Sequence, residues 1–120
     1  LVWKLEGLGW QIAIGYGLTE TSPLLTMNLP REKDKLRAAS AGTPLNGIEI
    51  HIDTSVSPSE GEDAQATSDT PYPQGEILAR GASVFSGYYN LPEQTREAFT
   101  ADGQWFRTGD LGYQDKDGYI

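Results

Sequence analysis

Fourteen glycines and seven prolines punctuate this chain of 120 residues. Glycine interrupts regular elements through its conformational freedom, proline through its missing N–H and fixed φ. Long helices are therefore not expected to dominate, and short strands joined by many turns are. The length fits one structural unit and is sufficient to bury a hydrophobic core. The net charge of −8 argues against a nucleic-acid-binding face, which would be basic, and against electrostatic docking on anionic lipid. With no cysteine, disulfides, thiolate metal sites and cysteine nucleophiles are excluded. A single histidine, His51, rules out a multi-histidine metal site within the chain. No apolar run approaches the roughly 20 residues of a membrane helix. No signal peptide is visible, so a cytoplasmic origin is expected.

Along the chain, LVWKLEGLG (1–9) reads as the tail of a helix ended by Gly7 or Gly9. WQIAI (10–14) reads as a short buried strand running into Gly15, half of an α/β unit. REKDKLR (31–37) is a mixed-charge run, best read as a solvated loop or helical turn. GIEIHID (47–53) is the cleanest strand, with Ile48, Ile50 and Ile52 on one face and Glu49, His51 and Asp53 on the other. His51 is thereby a half-exposed strand residue. From Asp53 to Glu76 there are six acidic residues and no Lys or Arg, and SPSEGEDAQATSDTPYPQ reads as a long surface loop. EILARG (76–81) and ASVFSGYY (82–89) read as strand material. Asn90 is placed to cap a short helix from Pro92 to about Phe99. WFRTGD (105–110) reads as a strand followed by a turn. Asp115-Lys116-Asp117-Gly118 reads as a hairpin turn, after which Tyr119-Ile120 begins a strand. The expected fold is mainly β with some α. Short antiparallel strands form a small sheet or distorted barrel, preceded by a helix and strand from an α/β core.

Two stretches can carry chemistry. GYGLTETSP (15–23) follows a strand with two glycines and a cluster of oxygens. It is neither G-x-G-x-x-G nor a Walker loop, so its spacing alone leaves a plain turn and an anion site both open. Tyr16 offers a ring face to a base, Thr19 a hydroxyl to a phosphate or carboxylate, and Glu20 a carboxylate to Mg²⁺. In WFRTGDLG (105–112), Asp110 follows Gly109 and can accept two hydrogen bonds from a ribose diol. Thr-Gly-Asp is also a common turn, and GEILARG (75–81) alone is only a strand.

Taken in order, GYGLTETSP, GEILARG, GYYNLPEQTREAFTADGQWFRTGDLG and DKDGYI resemble the adenylate-forming superfamily, most closely its fatty acid–CoA ligases. The match covers nearly the whole chain and is weakest at 31–37 and in the acidic loop. The resemblance implies that a carboxylate attacks the α-phosphate of ATP, and that coenzyme A then displaces AMP. It implies catalytic roles for Thr19, on the adenylate phosphate and substrate carboxylate, and for Glu20 as the Mg²⁺ ligand. It puts Tyr16 against adenine and Asp110 on the ribose hydroxyls, with Gly15 and Gly17 where bulk would obstruct the acyl and adenylate groups.

The family's phosphate loop and its lid lysine have no counterpart here. None of Lys4, Lys33, Lys35 or Lys116 stands in a matching context. The chain is accordingly expected to be an internal fragment, inactive by itself. Residues 1–30 would end the α/β core, and 31–120 would form a β-barrel-like subdomain. Its partners would be a small-molecule carboxylate, a fatty acid first, with ATP and coenzyme A. Aryl or small-acid CoA ligases come second and peptide-synthetase adenylation domains third. A non-catalytic β module binding nucleotide or protein is the competing class. Exposed strand edges lead to an expected dimer or swapped assembly, and the parent is also compatible with peripheral membrane association.

Overall fold

A computed structural model describes residues 1–30, 37, 39–56 and 70–120. Its elements are α1 (Val2–Glu6), β1 (Ile14–Tyr16), a 3-10 turn (Thr19–Thr21), β2 (Thr26–Asn28), β3 (Thr43–Pro44), β4 (Ile48–Asp53), β5 (Gly75–Gly81), α2 (Pro92–Glu97) and β6 (Phe106–Gly112). They make two antiparallel three-stranded sheets, ordered β1-β2-β3 and β4-β5-β6. The mainly β class expected from the sequence is therefore what the chain adopts. No helix among the described residues is long and apolar enough to cross a membrane.

The sheets share one core. Leu25 and Ala79 are fully buried and Phe106 nearly so. Tyr16 and Leu18 pack on this cluster from the β1 side, and Ile48 and Ile50 from β4. Phe85 and Phe99 close the end of the core, their rings stacked at 5.8 Å, and each meets Phe106 edge-on. Aromatic pairs in such geometries add about 0.5–1.5 kcal/mol beyond the area they bury. The isoleucines of β4 point inward and Glu49 and His51 outward, as the alternation requires. The His51 ring lies 5.7 Å from Trp105 on the open face, a surface contact.

Several expectations are corrected. The first strand is Ile14–Tyr16, not residues 10–14, because its ladder is set by β2: Ile14 faces Asn28, Gly15 faces Met27 and Tyr16 faces Thr26. Trp10 remains 67% exposed outside that ladder. Residues 82–89 are not strand. The Val84 N–H bonds to the Gly81 carbonyl at 3.1 Å, turning the chain, and the Phe85 N–H bonds to the Glu20 carbonyl at 2.8 Å. Asn90 does not cap α2. It takes the left-handed conformation at φ 55°, and Leu91 occupies the cap position with no side-chain bond. Asparagine is among the few side chains that tolerate this conformation. Finally, β6 does not stop at Thr-Gly-Asp but runs through it to Gly112.

A turn forms at 115–118 but does not join two strands of a hairpin, because β6 ends at Gly112 and no strand follows among the described residues. Asp115 Oδ1 accepts the N–H groups of Asp117 and Tyr119, both at 2.9 Å, and Gly118 sits at φ 83°. Tyr119-Ile120 is not a strand, but Ile120 exchanges backbone hydrogen bonds with Ala41 and Gly42. Of the charged run, 31–36 lie outside the described residues; Arg37 grips Asp115 and Asp117 at 2.5 and 2.7 Å. Residues 57–69 of the acidic stretch lie outside them too.

Candidate functional site

The GYGLTETSP stretch is a strand end, a tight loop and one 3-10 turn. Thr21 organises it from inside. Its fully buried hydroxyl donates to the Leu18 carbonyl at 2.8 Å and accepts the Leu18 N–H at 2.9 Å. The Leu25 N–H returns to the Tyr16 carbonyl at 2.8 Å, closing the loop onto β1. Thr19 is left exposed on the outside of this frame and Glu20 partly so.

The loop explains its own glycines. A Cβ on Gly17 would stand 2.0 Å from the Pro23 carbonyl oxygen, and one on Gly15 2.9 Å from a Leu24 methyl. Clearance for a ligand is thus not needed to account for either. Gly17→Ala is expected to cost about 1–3 kcal/mol, the range for forcing a methyl into a filled space. Urea denaturation of the two proteins measures it, and an unchanged midpoint would contradict the close approach.

The two sequence stretches that carried the functional reading meet. Tyr16, at the end of β1, donates its phenol hydrogen to Asp110 Oδ2 at 2.6 Å, across 94 positions of sequence. Burial, with the neighbouring carboxylate, pushes the Tyr16 phenol far above the usual tyrosine value of about 10. The neutral phenol is the form that the fold favours. Its contribution to stability is therefore present below the unfolded tyrosine pKa and lost as pH rises toward the raised value. A phenolate absorbance titration is expected to show a very late-ionising group, and Tyr16→Phe to remove it. Survival of that group in the variant would break the assignment.

Asp110 is presented by a bulge. Leu78 pairs with Arg107 and Glu76 with Leu111, so residues 108–110 stand opposite Ile77 alone. Gly109 adopts φ 77°, a conformation that a side chain would strain. Four side-chain contacts pin the bulge. Thr108 Oγ1 donates to the Ile77 carbonyl at 2.7 Å and accepts the Asp110 N–H at 3.1 Å. Buried Glu76 accepts the Gly109 N–H at 3.1 Å and pairs with Arg107 at 2.5 Å. Asp110 and Tyr16 lie on a cleft of about 480 Å³ whose walls include Ile77, Leu111 and Tyr113.

Glu20 is held separately. Its Oε1 accepts the Tyr88 phenol at 2.9 Å, and this hydrogen bond raises the Tyr88 pKa. No described hydrogen bond joins Glu20 to the Tyr16–Asp110 pair. Among the described residues there is no group of three or more His, Cys, Asp or Glu able to hold a metal. Glu20 fits Mg²⁺ as one protein ligand beside substrate phosphates and water, and does not fit an all-protein cage. Tyr88, Glu76, Thr108 and Thr21 were not singled out from the sequence. Thr21 alone had a local signal, a hydroxyl three residues after Leu18 at the start of a helical turn.

A carboxylate and a phenol set on a largely apolar cleft are the kind of arrangement that small-molecule sites use. Comparison with known proteins makes the class specific: the chain belongs to the AMP-binding enzyme family, which matches residues 2–89. It is 43% identical over 104 residues to a sulfoacetate–CoA ligase of Cupriavidus necator, covering 87% of this chain and 18% of that protein. It is 33% identical, over a 128-residue alignment, to a long-chain-fatty-acid–CoA ligase of Thermus thermophilus, covering 100% of this chain and 22% of that one. Among solved structures, the o-succinylbenzoate coenzyme A synthetase of Bacillus subtilis in complex with AMP matches with a TM-score of 0.73 at 32% identity. That match covers 99% of this chain and 28% of the other. The chain thus spans about a fifth of the length of the curated relatives that it matches.

Proposed function

We propose that this chain forms the adenylate-gripping part of an AMP-forming acid–CoA ligase. The observation that carries the reading is the Tyr16–Asp110 contact, which joins two distant stretches at one cleft. In the proposed reaction an acid's carboxylate oxygen bonds to the α-phosphorus of ATP as the bond to pyrophosphate breaks. The thiol sulfur of coenzyme A then bonds to the acyl carbon of the mixed anhydride, and AMP leaves.

In this reading Asp110 accepts hydrogen bonds from the ribose diol while Tyr16 lays its ring beside adenine. Gly15 and Gly17 keep the strand end low under the acyl-adenylate. Thr19 donates to the phosphate and carboxylate oxygens on which charge accumulates, a position where one fixed donor typically contributes about 3–4 kcal/mol. Glu20 holds Mg²⁺, which neutralises charge on the phosphates when bound. Residues 1–30 would close an α/β core and 31–120 a β-barrel-like subdomain of the same enzyme.

A fatty acid is the proposed carboxylate, on the likeness of GYGLTETSP and WFRTGDLGYQDKDGYI to fatty acyl-CoA ligases. An aryl or small acid is the second reading. It is favoured by a relative named 2-succinylbenzoate–CoA ligase and another named malonate–CoA ligase, each 39% identical. ATP–pyrophosphate exchange in a full-length enzyme carrying this chain tests both, with fatty, aryl and short dicarboxylic acids supplied in turn. Exchange that depends on a fatty acid is expected. Exchange only with an aryl or short acid would replace the first substrate with the second, and none with any acid would overturn the ligase reading.

A further inference from the structure

We propose that Glu76 is a positioning residue for nucleotide binding, acting through Asp110 without touching the ligand. The inference rests on the reading of Asp110 as the ribose-binding carboxylate. Glu76 is a carboxylate only 5% exposed, on the central strand of its sheet. Its two oxygens do different things. Oε2 takes the Arg107 guanidinium at 2.5 Å, and Oε1 takes the Gly109 N–H at 3.1 Å. Arg107 and Gly109 bracket Thr108, so one side chain ties the residues on both sides of the one that bonds the Asp110 N–H, the first through its guanidinium and the second through its backbone.

Regular pairing would leave the Gly109 N–H unmatched, because three residues of β6 stand opposite one of β5. A buried carboxylate supplies the acceptor that the ladder lacks. The bulge therefore holds one shape, and Asp110 leaves it at a fixed angle toward Tyr16 and the cleft. A neutral acceptor could satisfy the Gly109 N–H but not the Arg107 charge, which sets apart the effects of the possible substitutions.

The test is a double-mutant cycle in a full-length enzyme carrying this chain, with Glu76→Ala, Asp110→Ala and both together. Steady-state KM and kcat are read for ATP, the acid and coenzyme A. Glu76→Ala is expected to raise KM for ATP about tenfold or more, the loss typical of a hydrogen bond to a charged group. KM for coenzyme A should stay within about twofold. In the Asp110→Ala background the same change should add almost nothing, because the residue it positions is gone. Glu76→Gln keeps an acceptor and should fall between the two; if the alanine variant does not fold, the cycle is run with Glu76→Gln and Asp110→Asn. Additive effects, or a fall in kcat with an unchanged ATP KM, would overturn the positioning role. A normal ATP KM for Asp110→Ala alone would overturn the nucleotide reading instead.

Discussion

Thr19→Ala is expected to slow adenylate formation by about 10²–10³-fold, the loss typical when one fixed donor to developing charge is removed. The folded state should hardly register the change. Thr19 is exposed on the outer side of its 3-10 turn, whereas the hydroxyl that holds the loop together belongs to Thr21. The two threonines should therefore separate cleanly. Thr21→Ala removes a buried hydrogen-bonding group and leaves the Leu18 N–H and carbonyl without it. That should cost about 1–3 kcal/mol of stability. Pyrophosphate exchange and urea denaturation on both variants, in a full-length enzyme, give the comparison. Thr19→Ser keeps the donor and should retain most of the rate. Near-normal exchange in Thr19→Ala, or a loss matched by Thr19→Ser, would remove the hydroxyl from the chemistry.

What could be read from the sequence, and what could not, divides along physical lines. Strand β4 was legible because its isoleucines alternate with polar residues, and a half-buried strand has that period. The turn at 115–118 was legible because an aspartate and a glycine supply its acceptor and its positive φ locally. The first strand was misplaced because WQIAI is apolar, while pairing was decided by residues 26–28, which no local pattern names. Phe85 and Val84 made 82–89 look like a strand, yet they are apolar because they pack on the core from a turning segment.

The candidate site divides in the same way. Tyr16, Thr19, Glu20 and Asp110 belong to stretches whose residue types suggest ligand chemistry. Glu76 and Tyr88 matter because of what lies across from them in space. A strand glutamate reads as solvent-facing until a three-against-one bulge brings an unmatched N–H and an arginine to it. Tyr88 reads as an exposed aromatic until the backbone bond from Phe85 to Glu20 draws its segment over the 3-10 turn.

Asp110→Ala is expected to lower kcat/KM for ATP by about 30–1000-fold, chiefly through KM. The carboxylate would make two charge-assisted hydrogen bonds to a ribose diol, each contributing about 1.5–3 kcal/mol when measured singly and less than their sum together. The Tyr16 bond does not compete for that role. A carboxylate offers about four lone-pair sites, and the phenol at 2.6 Å takes one on Oδ2. It leaves the second site on that oxygen and both on Oδ1. The phenol therefore holds the acceptor still before nucleotide arrives. Tyr16→Phe should weaken ATP binding by only about 3–10-fold, the range of one hydrogen bond acting through orientation. Isothermal titration of AMP into the full-length protein distinguishes this from competition: a phenol that had to be displaced would make Tyr16→Phe bind AMP more tightly than the parent. Asp110→Asn completes the comparison. It keeps one acceptor oxygen and replaces the other with a donor amide, so it should retain part of the affinity that alanine loses. Equal losses in the asparagine and alanine variants would mean that a single acceptor oxygen contributes nothing by itself, and that nucleotide binding uses the intact carboxylate.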